Sequence, residues 1–129
     1  MNILDENVLE DQRHLLRSWR FPFRQIGYEV GRKGMEDEEI IPFLVSLRHP
    51  TFFTLDADFY KRDLCHERYS LVYLDVRQSE AAIFVRRVLR HHDLNTQAKR
   101  MGTVVRASHT RLALWRIHAE HEIYGGWVD

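Results

Sequence analysis

The chain has 129 residues, of which 44% are hydrophobic and 29% charged, and this is typical of one domain with a buried core. Its 19 basic and 19 acidic residues give a formal net charge of zero, which excludes a global attraction to nucleic acid or anionic membranes. The single cysteine, Cys65, excludes an internal disulfide and a cysteine zinc cluster. A lone cysteine fits a reducing compartment, so the sequence predicts a cytoplasmic protein. No apolar run is long enough for a membrane span, and no linker divides the chain, which predicts no membrane contact and a single domain over residues 1–129.

Hydrophobic patterning in the first half of the chain alternates between the strand and helix periods. The opening apolar residues end at Asp5, which is typical of a short central strand. Asp37 is the predicted N-cap of a later helix, in which Pro42 removes a backbone hydrogen bond if it lies beyond the first turn. The predicted elements are a strand at 1–4, a helix at 9–20, a strand region at 23–30 and a helix at 37–47.

The second half of the chain predicts further strands and one clear helix. Residues 70–76 are almost continuously apolar, which predicts a strand covered on both faces, as in a parallel sheet. Helix 79–91 has the clearest amphipathic spacing, and Ser79 is its predicted cap. The other predicted elements are a strand at 51–55, a hairpin of strands 103–108 and 112–118, and a loose tail from about residue 119. This order predicts an α/β fold with a mostly parallel central sheet flanked by helices and a late hairpin at its edge.

Acidic residues follow the predicted strands at positions where a doubly wound sheet has its ligand crevice. Asp5 follows the first strand, Asp56 and Asp58 follow the strand at 51–55, and Asp37 begins a helix. Carboxylates gathered in a partly dry crevice repel one another unless a cation neutralises them, and oxygen ligands favour a hard cation. The pattern therefore predicts a Mg²⁺ or Mn²⁺ site that can hold a phosphodiester and activate water. Each acid taken alone has a plainer explanation, since such residues often form turns or cap helices.

Three short motifs resemble the successive motifs of PIN-like domains, and the resemblance spans about two thirds of the chain. They are Ile3-Leu4-Asp5-Glu6-Asn7, Asp37-Glu38-Glu39-Ile40 and Thr54-Leu55-Asp56-Ala57-Asp58-Phe59. The closest similarity is to short PIN-like proteins of toxin–antitoxin type, which are related to virulence-associated ribonuclease toxins. The resemblance implies that Asp5, Asp56 and Asp58 are metal-site acids, and that the fourth acid is Asp37 or one of its two neighbours.

By the same resemblance, the function implied is that of a magnesium-dependent ribonuclease that a partner protein, such as an antitoxin, holds inactive. The resemblance also implies a homodimer. Leu55 stands where many relatives carry a polar residue, and residues 78–127 match no motif, so an inactive module that binds a protein partner is the alternative. A phosphoacceptor signalling domain is a third hypothesis, but the expected lysine and hydroxyl after the last core strands are missing.

Two basic groups are candidates for contact with RNA phosphates. Lys61, Arg62 and Arg68 follow the Asp-x-Asp-Phe motif and are the preferred substrate-binding residues. The second group lies on helix 79–91 and comprises Arg86, Arg87 and Arg90, followed by His91 and His92. A solvated helix face, with basic residues near the carboxyl end of the helix, is the plainer explanation of the second group.

Overall fold

The computed structural model describes residues 1–127, which form one seven-stranded sheet with helices on both faces. The strands are β1 (Asn2–Leu4), β2 (Arg24–Gln25), β3 (Thr51–Thr54), β4 (Ser70–Leu74), β5 (Thr103–Ala107), β6 (Leu112–Arg116) and β7 (Ile123–Gly125). The helices are α1 (Glu10–Ser18), α2 (Asp37–Ser46), α3 (Ala81–Arg90) and α4 (Gln97–Arg100). Short 3₁₀ turns cover Ala57–Phe59, Arg62–Leu64 and Gln78–Glu80. The predicted α/β class with a mostly parallel central sheet is confirmed.

The strand order is β2-β1-β3-β4-β5-β6-β7, and the first five strands are parallel. The chain moves outward from β1 to β2 through α1 and then returns past β1 to β3 through α2. The order therefore reverses between β1 and β3, and in open α/β sheets the ligand crevice lies outside the carboxyl ends of strands at such a point. Asp5 and Asp56 follow these two strands.

The core has two halves because successive side chains of a buried strand point to opposite faces of the sheet. Leu4 and Phe53 pack on the face covered by α1 and α3. Ile3 and Phe52 pack on the other face, beneath α2. All four side chains are 0% exposed, which agrees with the predicted burial of the sheet on both faces.

The second strand and the helix predicted at 79–91 begin and end at different residues from those predicted. The strand region predicted at 23–30 contains only β2, because the chain turns at Gly27, which has a φ of 86°, and its N–H donates to the Val30 carbonyl. The predicted cap of this helix, Ser79, instead lies inside the Gln78–Glu80 turn, and Glu80 is the N-cap residue of α3. Arg77 caps the turn, because the Glu80 side chain accepts from the backbone N–H of Arg77.

The residues after 119 were predicted to form a loose tail, and this was wrong for residues 123–125. They form β7, which pairs antiparallel with β6, so β7 and not the predicted hairpin is the edge of the sheet. The hairpin of β5 and β6 is confirmed. Tyr60 donates a hydrogen bond to Glu122 and so connects this segment to the loop after β3. Residues 128 and 129 of the predicted tail lie outside the described residues.

No helix in residues 1–127 is both long enough and apolar enough to cross a membrane.

Candidate metal centre

Asp5 is the buried member of the acidic group and is 7% exposed. Its backbone N–H continues the pairing with β3 by donating to the Phe53 carbonyl at 2.9 Å. Its Oδ2 accepts a hydrogen bond of 2.7 Å from the Thr54 hydroxyl. Burial raises the pKa of Asp5, and the negative charges of Asp56 and Asp37 raise it further, while the Thr54 hydrogen bond opposes them. A carboxyl group in these surroundings gains from a cation beside it.

Gln25 holds the loop that carries Asp5, although no sequence motif indicates this role. The side chain is 0% exposed, and its amide nitrogen donates to the carbonyls of Asp5 at 3.0 Å, Glu6 at 3.3 Å and Val8 at 2.8 Å. Arg13 donates to its amide oxygen at 2.7 Å. A glutamine at this position can satisfy several carbonyls that do not belong to any helix or strand ladder. Gln25 therefore positions the backbone on which Asp5 stands.

Asp56 and Asp58 are arranged by a tight turn directly after β3. The backbone N–H of Asp56 donates to the Thr54 hydroxyl at 3.0 Å, so one hydroxyl contacts both Asp5 and the Asp56 backbone. Asp56 caps the Ala57–Phe59 turn by accepting from the Asp58 N–H at 2.9 Å. Phe59 closes the turn and is 3% exposed. This buried aromatic anchors the turn, which leaves the two carboxylates at the surface.

Asp37 reaches the same place from α2, but it does not cap that helix as predicted. Glu36 is the N-cap, and the Glu39 side chain accepts from the backbone N–H of Glu36, so the capping box uses these two residues. Glu6 accepts from the Gly34 N–H at 2.9 Å, which connects the loop after β1 to the approach to α2. The Asp37 carboxylate therefore points toward the strand ends instead of closing its own helix.

Asp37, Asp56 and Asp58 form the cluster that the sequence predicted. Each offers one carboxylate oxygen, and these oxygens all lie within 4.8 Å of one another. Partial burial raises the pKa of Asp37, and the neighbouring charges of Asp56 and Asp58 add to this effect. Asp5 lies close enough to be electrostatically coupled to Asp37 and Asp56. The structure thus brings three of the four predicted acids within 4.8 Å of one another, and it leaves Asp5 outside that group, on the buried side of it.

The donor set of this cluster fits a hard divalent cation. All of the donors are carboxylate oxygens, which Mg²⁺ and Mn²⁺ prefer over nitrogen or sulfur. Two oxygens on one Mg²⁺ lie at most about 4.2 Å apart, since each bond is about 2.1 Å long. The spacings in the cluster are at most 4.8 Å, so no more than a small side-chain rotation or one bridging water is needed. Asp37, Asp56 and Asp58 would hold the ion, and Asp5 would lie behind them.

Asp75 is an acid at the same edge of the sheet that the sequence reasoning missed. It directly follows β4, but the strand predicted at 70–76 includes it, so it does not stand out as an acid after a strand. Arg106 donates to its Oδ2 through Nε at 3.0 Å and through Nη2 at 2.6 Å, and this pairing lowers the pKa of Asp75. The Tyr73 hydroxyl also donates to Asp75, at 3.1 Å. Asp75 is thus neutralised by protein groups, unlike the three clustered carboxylates.

Two of the three predicted substrate-binding residues are not directed toward the acids. Arg62 donates to the Ala119 carbonyl at 2.7 Å, and its guanidinium lies 5.3 Å from the ring centroid of Trp115. Arg68 precedes β4 and therefore lies at the amino edge of the sheet, opposite the carboxyl edge that carries the cluster. Both were misplaced because the chain between β3 and β4 crosses a whole face of the sheet. Lys61 is exposed and comes three residues after Asp58, so it stays a candidate.

His91, His92 and Asp93 are a second group in the described residues with a spacing that a metal could use. Both ring nitrogens of His91 are already engaged, however. Nε2 lies 2.9 Å from the Gly126 carbonyl, and Nδ1 accepts from the Asp93 N–H at 3.1 Å. Since metal ligation would break one of these hydrogen bonds, this group is better explained as a packing contact with the segment after β7.

Comparisons of the chain with models of known protein families, with curated proteins and with solved structures find no match. The resemblance to PIN-like domains therefore stays a prediction from the motifs, and the geometry of the cluster is the basis for the functional proposal.

Proposed function

We propose that the chain is a Mg²⁺- or Mn²⁺-dependent endoribonuclease of PIN-like type, the toxin component of a toxin–antitoxin pair. The observation that carries the proposal is the convergence of Asp37, Asp56 and Asp58, whose oxygens lie within 4.8 Å of one another at the point where the strand order reverses. The three acids come from two separate segments of the chain. A plain capping role explains only the contact between Asp56 and the turn that follows it.

A bound ion would supply Lewis-acid chemistry, by lowering the pKa of a water and stabilising negative charge on a phosphodiester. The residues of the chain have complementary roles. Asp37, Asp56 and Asp58 would orient the ion, and they are accessible enough to leave positions open for water and substrate. Burial raises the pKa of Asp5, so this carboxyl group accepts a proton more readily than an exposed aspartate when the charge balance of the cluster changes. Thr54 keeps the Asp5 carboxylate in one orientation.

The alternative is a PIN-like module that is catalytically weak and acts by binding a protein partner. In support of it, Arg62 and Arg68, which would have contacted substrate, lie elsewhere, and Asp75 is neutralised by Arg106. The proposal in either form includes a cytoplasmic location and a homodimer, with an antitoxin or another regulatory protein as the partner. The alternative predicts metal binding without hydrolysis.

The test compares wild-type protein with Asp56→Asn in metal binding and RNA cleavage. Asparagine keeps an oxygen that can accept from the Asp58 N–H, so the turn should persist while the charge is lost. Wild-type protein should be stabilised by Mg²⁺ or Mn²⁺, by about 2.7 kcal/mol when the free ion is at 100 times its Kd. It should also cleave RNA with the same metal dependence. Asp56→Asn should lose both effects.

Asp63→Asn is the matched control, since it removes one exposed carboxylate from the same loop but outside the cluster. It should behave as the wild type does. Metal stabilisation without cleavage of a varied RNA panel would favour the partner-binding alternative. Absence of any metal effect on the wild type would refute the metal site and the nuclease proposal together.

A further inference from the structure

A pocket on the outer side of α3 concentrates basic residues in a chain with no net charge. Its volume is about 660 Å³, and its lining includes Arg86, Arg87, Arg90, His92 and Trp127. This volume is within the range of pockets that hold small molecules or a few units of a polymer. We call these residues the arginine pocket.

The three arginines are held in place by aromatic rings. The pairs, with the distance from guanidinium carbon to ring centroid, are Arg86 and Trp19 at 4.0 Å, Arg87 and Trp127 at 4.4 Å, and Arg90 and Phe21 at 5.6 Å. A stacked guanidinium is ordered in advance, and it donates hydrogen bonds from its edge and not from its face. The pocket therefore presents oriented donors, which reduces the entropy that a bound anion would have to remove.

Ion pairing among residues 1–127 does not explain the placement of Arg86 and Arg90. α3 contains no acidic residue, and no carboxylate among residues 1–127 lies within ion-pair distance of Arg86 or Arg90. The helix dipole favours basic residues only in the last turn, which includes Arg87 and Arg90 but not Arg86. Asp93, which follows the helix, lies 3.5 Å from His92.

The lining combines phosphate-binding groups with surfaces for stacking. Guanidinium edges match the oxygens of a phosphate, and Arg86 and Arg90 are one helical turn apart, so each can contact a different phosphate. His92 is stacked on His91, with ring centroids 4.5 Å apart, while 69% of its side chain is exposed. Its outer face is therefore open to a base. A peptide carboxylate would use the arginines but would gain nothing from this face.

We propose that the arginine pocket binds single-stranded nucleic acid, with the guanidinium groups on successive phosphates and a base stacked on His92. Gln78, just before α3, donates to the Asn7 carbonyl at 2.8 Å, and Asn7 is two residues past Asp5. The start of α3 thus adjoins the loop of the acidic cluster, and a strand bound along the helix can continue toward that cluster. The proposal concerns binding only and does not require the acids to be catalytic.

The test is binding of a short fluorescein-labelled oligouridylate, followed by anisotropy in EDTA so that no metal-dependent cleavage occurs. The variant Arg86→Gln with Arg90→Gln removes two guanidinium groups and keeps most of each side-chain stem. It should lose affinity on the order of tenfold, and the slope of log affinity against log salt should become shallower by about 1.4, at about 0.7 for each lost contact with a single strand. The affinity of Arg86→Lys with Arg90→Lys should lie between those of the wild type and the glutamine variant, because the positive charge is kept and the forked donor geometry of the guanidinium is lost.

The control is Arg48→Gln with Arg68→Gln, which removes the same charge from exposed positions that precede β3 and β4. It should bind as the wild type does, and thermal unfolding should show that all variants are folded. Equal loss in the control and test variants, equal binding of a duplex, or displacement of the oligonucleotide by polyglutamate at the same charge concentration would each overturn the proposal. The assay is carried out in EDTA and measures binding alone, so failure of the nuclease proposal and failure of this one are distinguishable.

Discussion

The acidic site has a buried side and an exposed side, and the two are built differently. Asp5 extends a strand of the sheet, is 7% exposed and is held by Thr54 and, through its backbone, by Gln25. Asp37 and Asp58 are exposed and stand at the starts of a helix and a tight turn. The exposure of Asp56 is intermediate between that of Asp5 and that of the two exposed acids.

The buried side fixes the position of the site, and the exposed side is suited to bind and release an ion. A carboxylate fixed in the sheet can move only when the sheet opens, so Asp5 gives the site its position and its low-dielectric side. Carboxylates at surface turns can rotate and bind water, which suits groups that must accept and release a solvated ion. We therefore expect substitutions on the buried side to reduce stability, and substitutions on the exposed side to change ion binding more than stability.

The largest effect on stability is expected for Gln25→Leu. Leucine fills the same buried space but cannot donate to the carbonyls of Glu6 and Val8, which then lose their hydrogen-bond donor. The Asp5 carbonyl still accepts from the Val8 N–H, and Arg13 still donates to Glu29, so these two groups each lose one of their hydrogen bonds. Buried polar groups that lose their hydrogen bonds cost about 1–3 kcal/mol each before relaxation, so a loss of about 3 kcal/mol in unfolding free energy is expected. Urea denaturation measures it directly.

Gln12→Leu is the matched control for this prediction, because Gln12 is also buried but accepts only one backbone hydrogen bond, from Ala82 at 2.9 Å. It should cost about 1 kcal/mol. Equal losses in the two variants would mean that the loop after β1 is held by packing and not by Gln25, and the proposed framework for Asp5 would be wrong.

The sequence could predict the four acids but not the framework that holds them. Asp5 and Asp56 were found because each follows an apolar run, and the carboxyl ends of parallel strands meet at one edge. Gln25 carries no comparable signal, since its carbonyl partners lie about 20 positions earlier and carbonyls are present at every residue. Arg68 was misplaced for a related reason, because a loop's composition does not say which edge of the sheet the loop reaches. β7 was missed because it has only 3 residues, which are too few to show an alternating apolar pattern, and most of them are exposed.

Thr54→Val is expected to have an intermediate effect. Valine keeps the shape of threonine but cannot donate to Asp5, so a loss of about 1.5 kcal/mol is expected near neutral pH. Because the Thr54 hydrogen bond holds the pKa of Asp5 down, its removal should raise that pKa further. The folded variant then keeps this proton to a higher pH than the folded wild type does. Its deficit should therefore grow as pH rises from the raised pKa of Asp5 in the wild type to the still higher pKa in the variant, and it should be constant above that.

Thr54→Ser is the control, because it keeps the hydroxyl and should show no added pH dependence. The same comparison in an Asp5→Asn background isolates the interaction, since the pH-dependent part of the deficit should disappear there. A deficit that is independent of pH in both backgrounds would show that Thr54 acts only through its contact with the Asp56 backbone.

The smallest effect on stability, and the one most specific to the exposed side, is expected for Asp37→Asn. Burial and the neighbouring acids raise the pKa of Asp37, so in the absence of metal its ionisation in the folded state opposes folding. The wild type should therefore lose stability relative to the variant as pH rises from about 4, and the variant should be more stable at pH 7 by no more than about 1 kcal/mol, given the exposure of the group. Saturating Mg²⁺ should reverse the order, because only the wild type keeps the full set of ligands. If Asp63→Asn gave the same gain at pH 7 without metal, the effect would belong to total charge and not to the cluster, and the repulsion argued for the exposed side would be contradicted.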